Sequence, residues 1–264
     1  MKTMSETILL SVTDAVATVS FNRPSVYNAM DESMIVRFRA VMEQVQRDPA
    51  VRVVVLRGEG TAFLAGGDVA FFHRHIDAMP EMIVRLAREL HYGVLAMRRM
   101  RQPVLASVHG AVAGAGLSIV AAADLAIAAR DASFTLAYCG IGASPDGGGS
   151  YFLVRRLGTK KAMELALLGE TLDAQAAAAL GLVNRIVATD GLAAETARIA
   201  RRLAAGPGVA FAETKALLNQ ALEASLEQQL ESEVQAFARC ARTHDLREGV
   251  AAFVEKRKPV FRGE

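Results

Sequence analysis

The stretch His109 to Asp124, HGAVAGAGLSIVAAAD, carries the clearest chemistry in the chain. The apolar run Pro103 to Val108 before it reads as a buried strand, and small helix formers follow it. The chain therefore turns from strand to helix at Gly114-Ala115-Gly116. A helix N-terminus leaves its first amide donors unpaired and carries partial positive charge, and flanking glycines let a ligand approach the peptide unit of Ala115. Such a turn can hold an oxygen. A dinucleotide fingerprint, G-x-G-x-x-G, fails because Ile119 stands at its sixth position and the motif lies far from the start of the chain. An oxyanion site would need a second amide aimed at the same oxygen, and Ala65 offers one.

Ala65 sits in Arg57 to Asp68, RGEGTAFLAGGD, a glycine-rich loop. A phosphate-binding P-loop would need Lys and Ser or Thr after the last glycine, whereas Asp68-Val69 follows. An ordinary tight turn is the alternative. The elements around these loops alternate. Thr7 to Val12 and Ala15 to Phe21 read as a β-hairpin, and Asp31 caps a helix with Met34, Ile35, Phe38, Val41, Met42 and Val45 on one face up to Asp48-Pro49. Val51 to Leu56 reads as a buried parallel strand, and Glu81 to Met100 as a long amphipathic helix. Leu125 to Ala129 and Ser133 to Tyr138 are further short strands. Helices at 150–157, 160–168 and 174–180 each end at a glycine, and Leu182 to Val187 returns as a strand. Beyond Asp190 the pattern is helical, broken at Gly206-Pro207-Gly208 and near Thr243. The recurring strand, strand, helix rhythm suggests repeated ββα units.

With 264 residues and 52% hydrophobic content the chain can bury a sizeable core. A formal net charge of +2 with no basic stripe argues against nucleic-acid binding. Cys139 and Cys240 are too few and too far apart for a disulfide framework or a Cys-based metal site, which suits a reducing compartment. The opening residues show no apolar leader pattern, and no later run reaches membrane-spanning length without charge. A cytoplasmic protein that binds no membrane, metal or redox cofactor is expected.

Five motifs then occur in order: Asn22-Arg23-Pro24 with Asn28-Ala29-Met30; Ala62 to Asp68; Pro103 to Ala106 leading to His109-Gly110 and Gly114-Ala115-Gly116; Ser144-Pro145-Asp146-Gly147-Gly148; and Phe253 to Arg257. Together they resemble the crotonase (enoyl-CoA hydratase/isomerase) superfamily along nearly the whole chain. The resemblance implies an α/β fold, a spiral of ββα units over residues 1–199 that binds acyl-CoA, with a helical oligomerisation segment over 200–264. It implies trimers or dimers of trimers, with coenzyme A present only as part of the substrate. The Ala65 and Ala115 amides would stabilise an enolate-like oxyanion on the thioester. Arg23, Gly66, Gly67, Asp68, Val69 and Gly114 would line the substrate path, and Phe253 and Lys256 would contact the nucleotide end. A solvated charge is the alternative for Lys256.

Hydratases of the superfamily carry two glutamates at positions that match Ser118 and Tyr138 here, and neither residue can do that acid/base work. Asp146 is the remaining carboxylate. Its turn resembles that of double-bond isomerases, in which one aspartate removes a proton and returns it elsewhere. The alternative is a helix cap near Gly149. Helix amides would lower its pKa, whereas an apolar acyl pocket would raise it. His91, at the edge of an apolar helix face, is either a packed residue or, with Asp146, similar to the pair in 4-chlorobenzoyl-CoA dehalogenases. Tyr138 either fills the core or orients Asp146. Isomerisation by Asp146 is the expected reaction; hydration with non-standard residues, dehalogenase-like hydrolysis and a non-catalytic thioester binder are the alternatives.

Overall fold

A computed structural model describes residues 6–264; the first five residues, part of the stretch read above for a leader, lie outside the described residues. In chain order the elements are β1 (Ile8–Thr13), β2 (Val16–Phe21), α1 (Glu32–Arg47), β3 (Val53–Gly58), α2 (Val69–Arg74), α3 (Met79–Arg99), β4 (Val104–Val108), β5 (Ala111–Ala113), α4 (Ala115–Ala122), β6 (Leu125–Ala129), β7 (Ser133–Thr135), α5 (Gly149–Leu168), β8 (Thr171–Asp173), α6 (Ala174–Ala179), β9 (Arg185–Val187), α7 (Leu192–Ala204), α8 (Gly208–Gln220), α9 (Leu226–Ala241) and α10 (His244–Val254). A six-stranded sheet runs β1-β2-β3-β4-β6-β9, and a three-stranded one runs β5-β7-β8. Only the β1-β2 hairpin is antiparallel in the large sheet.

Strands buried on both faces need apolar residues at every position, which explains the unbroken runs of β3 and β4. Val54, Leu56, Val104 and Ala106 face a core shared with α1, α3 and α4. Val53, Val55, Leu105 and Ile127 face α7 through Leu192, Ala200 and Ala204. Because α7 packs on the sheet and runs past residue 199, the chain leaves the sheet only at the break before α8. The helices expected at 150–157 and 160–168 are the two halves of α5, which meet at a kink where Gly158, at φ 74° and ψ 160°, is not helical. Strands β5 and β8 went unread in the sequence; each has three residues. Among the described residues no helix is long and apolar enough to cross a membrane.

Asn28 ties the amino-terminal loop to the glycine-rich turn. It is fully buried at φ 61°, its Oδ1 accepts from the Arg23 amide at 2.8 Å, and its Nδ2 donates to the carbonyls of Ala62 at 2.7 Å and Glu59 at 2.9 Å. Replacing it by alanine orphans buried backbone groups and puts a Cβ residue in left-handed geometry without the side-chain bonds that hold it. Asn28→Ala should lower the stability by about 2–4 kcal/mol, read as a lower urea midpoint.

Candidate active site

Two backbone turns meet at the N-terminus of α4. Leu64 and Val112 form a parallel bridge, in which the Leu64 amide donates to Ala111 and the Leu64 carbonyl accepts from Ala113. Gly66 and Gly114 then touch: a Cβ built on Gly66 would lie 3.1 Å from the Ala113 carbonyl oxygen, and one on Gly114 would lie 3.5 Å from the Gly66 Cα. Gly114 also has φ 50° and ψ −120°, a conformation open to glycine. Ala115, the first residue of α4, has no carbonyl four residues back within the helix and keeps its amide free.

The partner amide is not that of Ala65. Its N–H donates to the Tyr27 carbonyl at 3.0 Å, because Tyr27, at φ 52°, turns that carbonyl toward the loop. The free amide on this turn is that of Gly67 instead. Met30 donates to the Gly66 carbonyl and accepts from the Asp68 amide, so Gly67 between them points its own N–H away from Met30, with no backbone acceptor among the described residues. A Cβ at Gly67 would strike the Phe72 ring at 2.6 Å. Gly67 and Ala115 thus leave donors free on adjacent turns.

Arg23 and Asp68 tie these turns together. The Arg23 guanidinium bonds the Ala29 carbonyl and lies 3.1 Å from Asp31 and 3.0 Å from Asp68. Asp68 also caps α2 through the Phe71 amide. Burial raises its pKa, but that amide and Arg23 outweigh the effect and hold it below the ordinary value. Val69 is exposed at the start of α2, and Phe253 and Lys256 are exposed at the end of α10. Phe253 borders a cavity lined only by residues 207–261, so the structure does not gather the ten expected residues into one group.

A second group of side chains lies beside the first turn of α4. The Tyr138 hydroxyl donates to Asp146 Oδ1 at 2.5 Å and lies 3.4 Å from the Ser118 Oγ. A Cβ on Gly114 would lie 3.8 Å from the end of the Tyr138 ring, which puts the phenol against the oxygen-holding turn. The Gly147 amide donates to His91 Nε2 at 3.2 Å. Ser118 is fully buried, and a Cβ on Gly149 would meet its Oγ at 2.5 Å. The Asp146 side chain caps no helix: Gly148 stands at the α5 N-cap without a side-chain bond.

Burial raises the Asp146 pKa above its ordinary value, although the Tyr138 hydroxyl, and His91 when charged, pull it back. Of the two opposed expectations, desolvation prevails. Burial and the neighbouring Asp146 also push the Tyr138 phenol upward, so it keeps its proton at neutral pH. The group therefore pairs one carboxylate of raised proton affinity with one permanent donor. The role of Gly67 escaped the sequence because donor direction depends on the Met30 bridge.

Two measurements check this electrostatic arrangement. In Tyr138→Phe the Asp146 carboxylate loses a donor that favours its charged form, so its pKa, followed by carboxyl NMR, should rise by about one unit. A carboxyl whose folded pKa is raised withdraws stability as the pH climbs above its unfolded value, near the ordinary 3.8. Asp146→Asn should therefore melt above the wild type at neutral pH, and the gain should vanish below that value.

The family described as Enoyl-CoA hydratase/isomerase matches residues 11–264. The chain is 36% identical over 264 residues to the 1,2-epoxyphenylacetyl-CoA isomerase of Escherichia coli, covering 99% of this chain and 100% of that one. It is 33% identical over 258 residues to the trans-2-decenoyl-acyl-carrier-protein isomerase of Streptococcus mutans, covering 97% and 98%. A solved enoyl-CoA hydratase from Polaromonas sp. JS666 superposes with a TM-score of 0.92 at 34% identity, over 97% of this chain and 99% of that one. Sequence and fold agree in these matches: the chain belongs to the enoyl-CoA hydratase/isomerase family, within the crotonase superfamily.

Proposed function

We infer that this enzyme shifts the double bond of an enoyl-CoA thioester, with Asp146 as the single acid and base. The observation that carries the reading is the raised proton affinity of Asp146, the one carboxylate in the group of Ser118, Tyr138, Gly147 and His91. Asp146 removes a proton from the carbon next to the conjugated system, and the electron pair moves onto the thioester oxygen. The Gly67 and Ala115 amides receive that charge; loss of one such donor typically costs ~2.7–4 kcal/mol of transition-state stabilisation. Asp146 then returns its proton at the far carbon, so no atom is gained or lost. Two amides and one carboxylate suffice, with coenzyme A entering only as part of the substrate.

Syn hydration needs a second proton-handling group. Ser118 donates to the Gly114 carbonyl at 3.4 Å and Tyr138 retains its proton, so neither activates water. The name of one relative, a trans-2-decenoyl-acyl-carrier-protein isomerase, supports the same choice. A hydrolytic reading draws on the position of His91 beside the Asp146 turn, where it would activate water against an aspartyl ester.

Assembly as a homotrimer or a dimer of trimers belongs to the same proposal. Leu226, Leu230, Val234 and Phe237 form an exposed apolar stripe along α9 that further copies would cover. The two free thiols, Cys139 and Cys240, suit the cytoplasmic location proposed with it.

Solvent-deuterium incorporation into 2-enoyl, 3-enoyl and aryl-CoA thioesters, followed by mass spectrometry, tests the chemistry. Deuterium should enter an enoyl thioester without a mass gain of water, and Asp146→Asn should slow exchange by about 10²–10⁴-fold. Exchange that survives the substitution sinks the role of Asp146. Incorporation of heavy oxygen from water into Asp146 during turnover would point to hydrolysis.

A further inference from the structure

On the side of His91 and Gly147 the site borders a cavity of about 980 Å³ walled by α3, α5 and α8. Most of its wall is apolar, with Phe152, Phe211, Leu218 and Leu222 contributing. Five cationic side chains also border it, Arg98, Arg99, Arg155, Arg156 and Lys215, against one lining carboxylate, Asp124. Glu223 reaches Arg155 at 3.3 Å without lining the cavity. An apolar chamber with this excess of positive charge suits an apolar chain that ends in an anion.

Not every cation there is available. Lys215 is engaged by Asp124 at 2.7 Å and by the Met97 and Gln102 carbonyls. Arg98 uses Nη1 alone, on the Ala122 carbonyl and Asp124, and Arg156 uses Nε and Nη2 on the Ala121 and Ala123 carbonyls. Nη2 of Arg98 and Nη1 of Arg156 have no protein acceptor among the described residues. Burial and the neighbouring Arg98 charge lower the Arg156 pKa, the direction expected where cations lack counter-charge. Both arginines sit at the C-terminal end of α4, whereas the oxygen-holding amide is at its first residue. Eight helical residues separate the two ends by about 12 Å, the span of an extended chain of about ten carbons.

We propose that this cavity takes the far end of the acyl group and that this end is a carboxylate, the substrate being an ω-carboxyacyl-CoA thioester held by Arg98 and Arg156. The proposal rests on the acyl-CoA reading above for the end of the molecule that enters first. The phosphates of coenzyme A are the other anions that the same guanidinium donors would take; Gly147 and His91 on the cavity wall, next in line to Asp146, favour the acyl end.

The test compares ten-carbon 2-enoyl thioesters ending in carboxylate or methyl by kcat/KM, and their saturated counterparts by calorimetric binding. Both are repeated with pantetheine thioesters, which lack the nucleotide phosphates. The wild type should favour the carboxylate by about tenfold or more in both series. Arg156→Met should bring that ratio toward one. So should Leu218→Glu, which places an acid on a wall residue that is 70% exposed and so spares the packing. A wild-type ratio of one, or a preference for methyl, overturns the proposal. So does an Arg156→Met effect confined to the CoA series, which would assign the cations to phosphate. Carboxylate preference in binding without deuterium exchange into any thioester would instead sink the isomerase reading and leave the cavity assignment standing.

Discussion

A helix buried along its whole length must still answer for the polar groups at its two ends. Every residue of α4 is buried, and Ser118 is its only polar side chain. At the C-terminal end the carbonyls of Ala121, Ala122 and Ala123 accept from Arg156 and Arg98, two cations placed where the helix dipole favours them. At the N-terminal end the Ala115 amide keeps no internal partner. One end is satisfied within the protein and the other keeps a free donor. Gly116 lets the helix press onto the loop that presents Gly67, since a Cβ there would stand 2.2 Å from the Leu64 carbonyl oxygen.

The same economy of polar groups governs Asp146. A buried carboxylate is destabilised by desolvation, and one phenol donor offsets only part of that effect. The balance leaves a group that takes up a proton more readily than a solvated aspartate and can still release it. The proposed role of Asp146, a base toward a weakly acidic carbon, needs that compromise. Tyr138 is suited to hold it because its own proton does not leave.

Much of this was legible in the sequence. The continuous apolar runs of β3 and β4 and the periodic faces of α1 and α3 announce a two-faced parallel sheet, because burial dictates those patterns directly. Strands β5 and β8 were not legible: three residues carry no period, and their partners come from elsewhere in the chain. The glycine turns were visible as places where an oxygen can sit, but the donor was assigned to Ala65. Which amide faces the ligand depends on Tyr27 and Met30, some forty residues earlier. The ion pairs of Arg23 were hidden for a similar reason, since Asp31 and Asp68 meet it only in three dimensions. The Asp146 turn alone was equally consistent with a cap; the resemblance singled it out, and the Tyr138 hydroxyl supplied the physical reason.

The crowding around Ser118 bears on how this lineage can change its chemistry. Its Oγ lies 3.4 Å from the Tyr138 hydroxyl, and a Cβ on Gly149 would fall 2.5 Å from the same atom. A glutamate arriving at position 118 would meet the phenol before it met a substrate. A glutamate replacing Tyr138 first would bring two carboxylates together without the donor that now tempers Asp146. Positions 118, 138 and 146 are therefore bound by epistasis. A working glutamate at position 118 requires that the phenol at 138 be replaced by a smaller side chain as well.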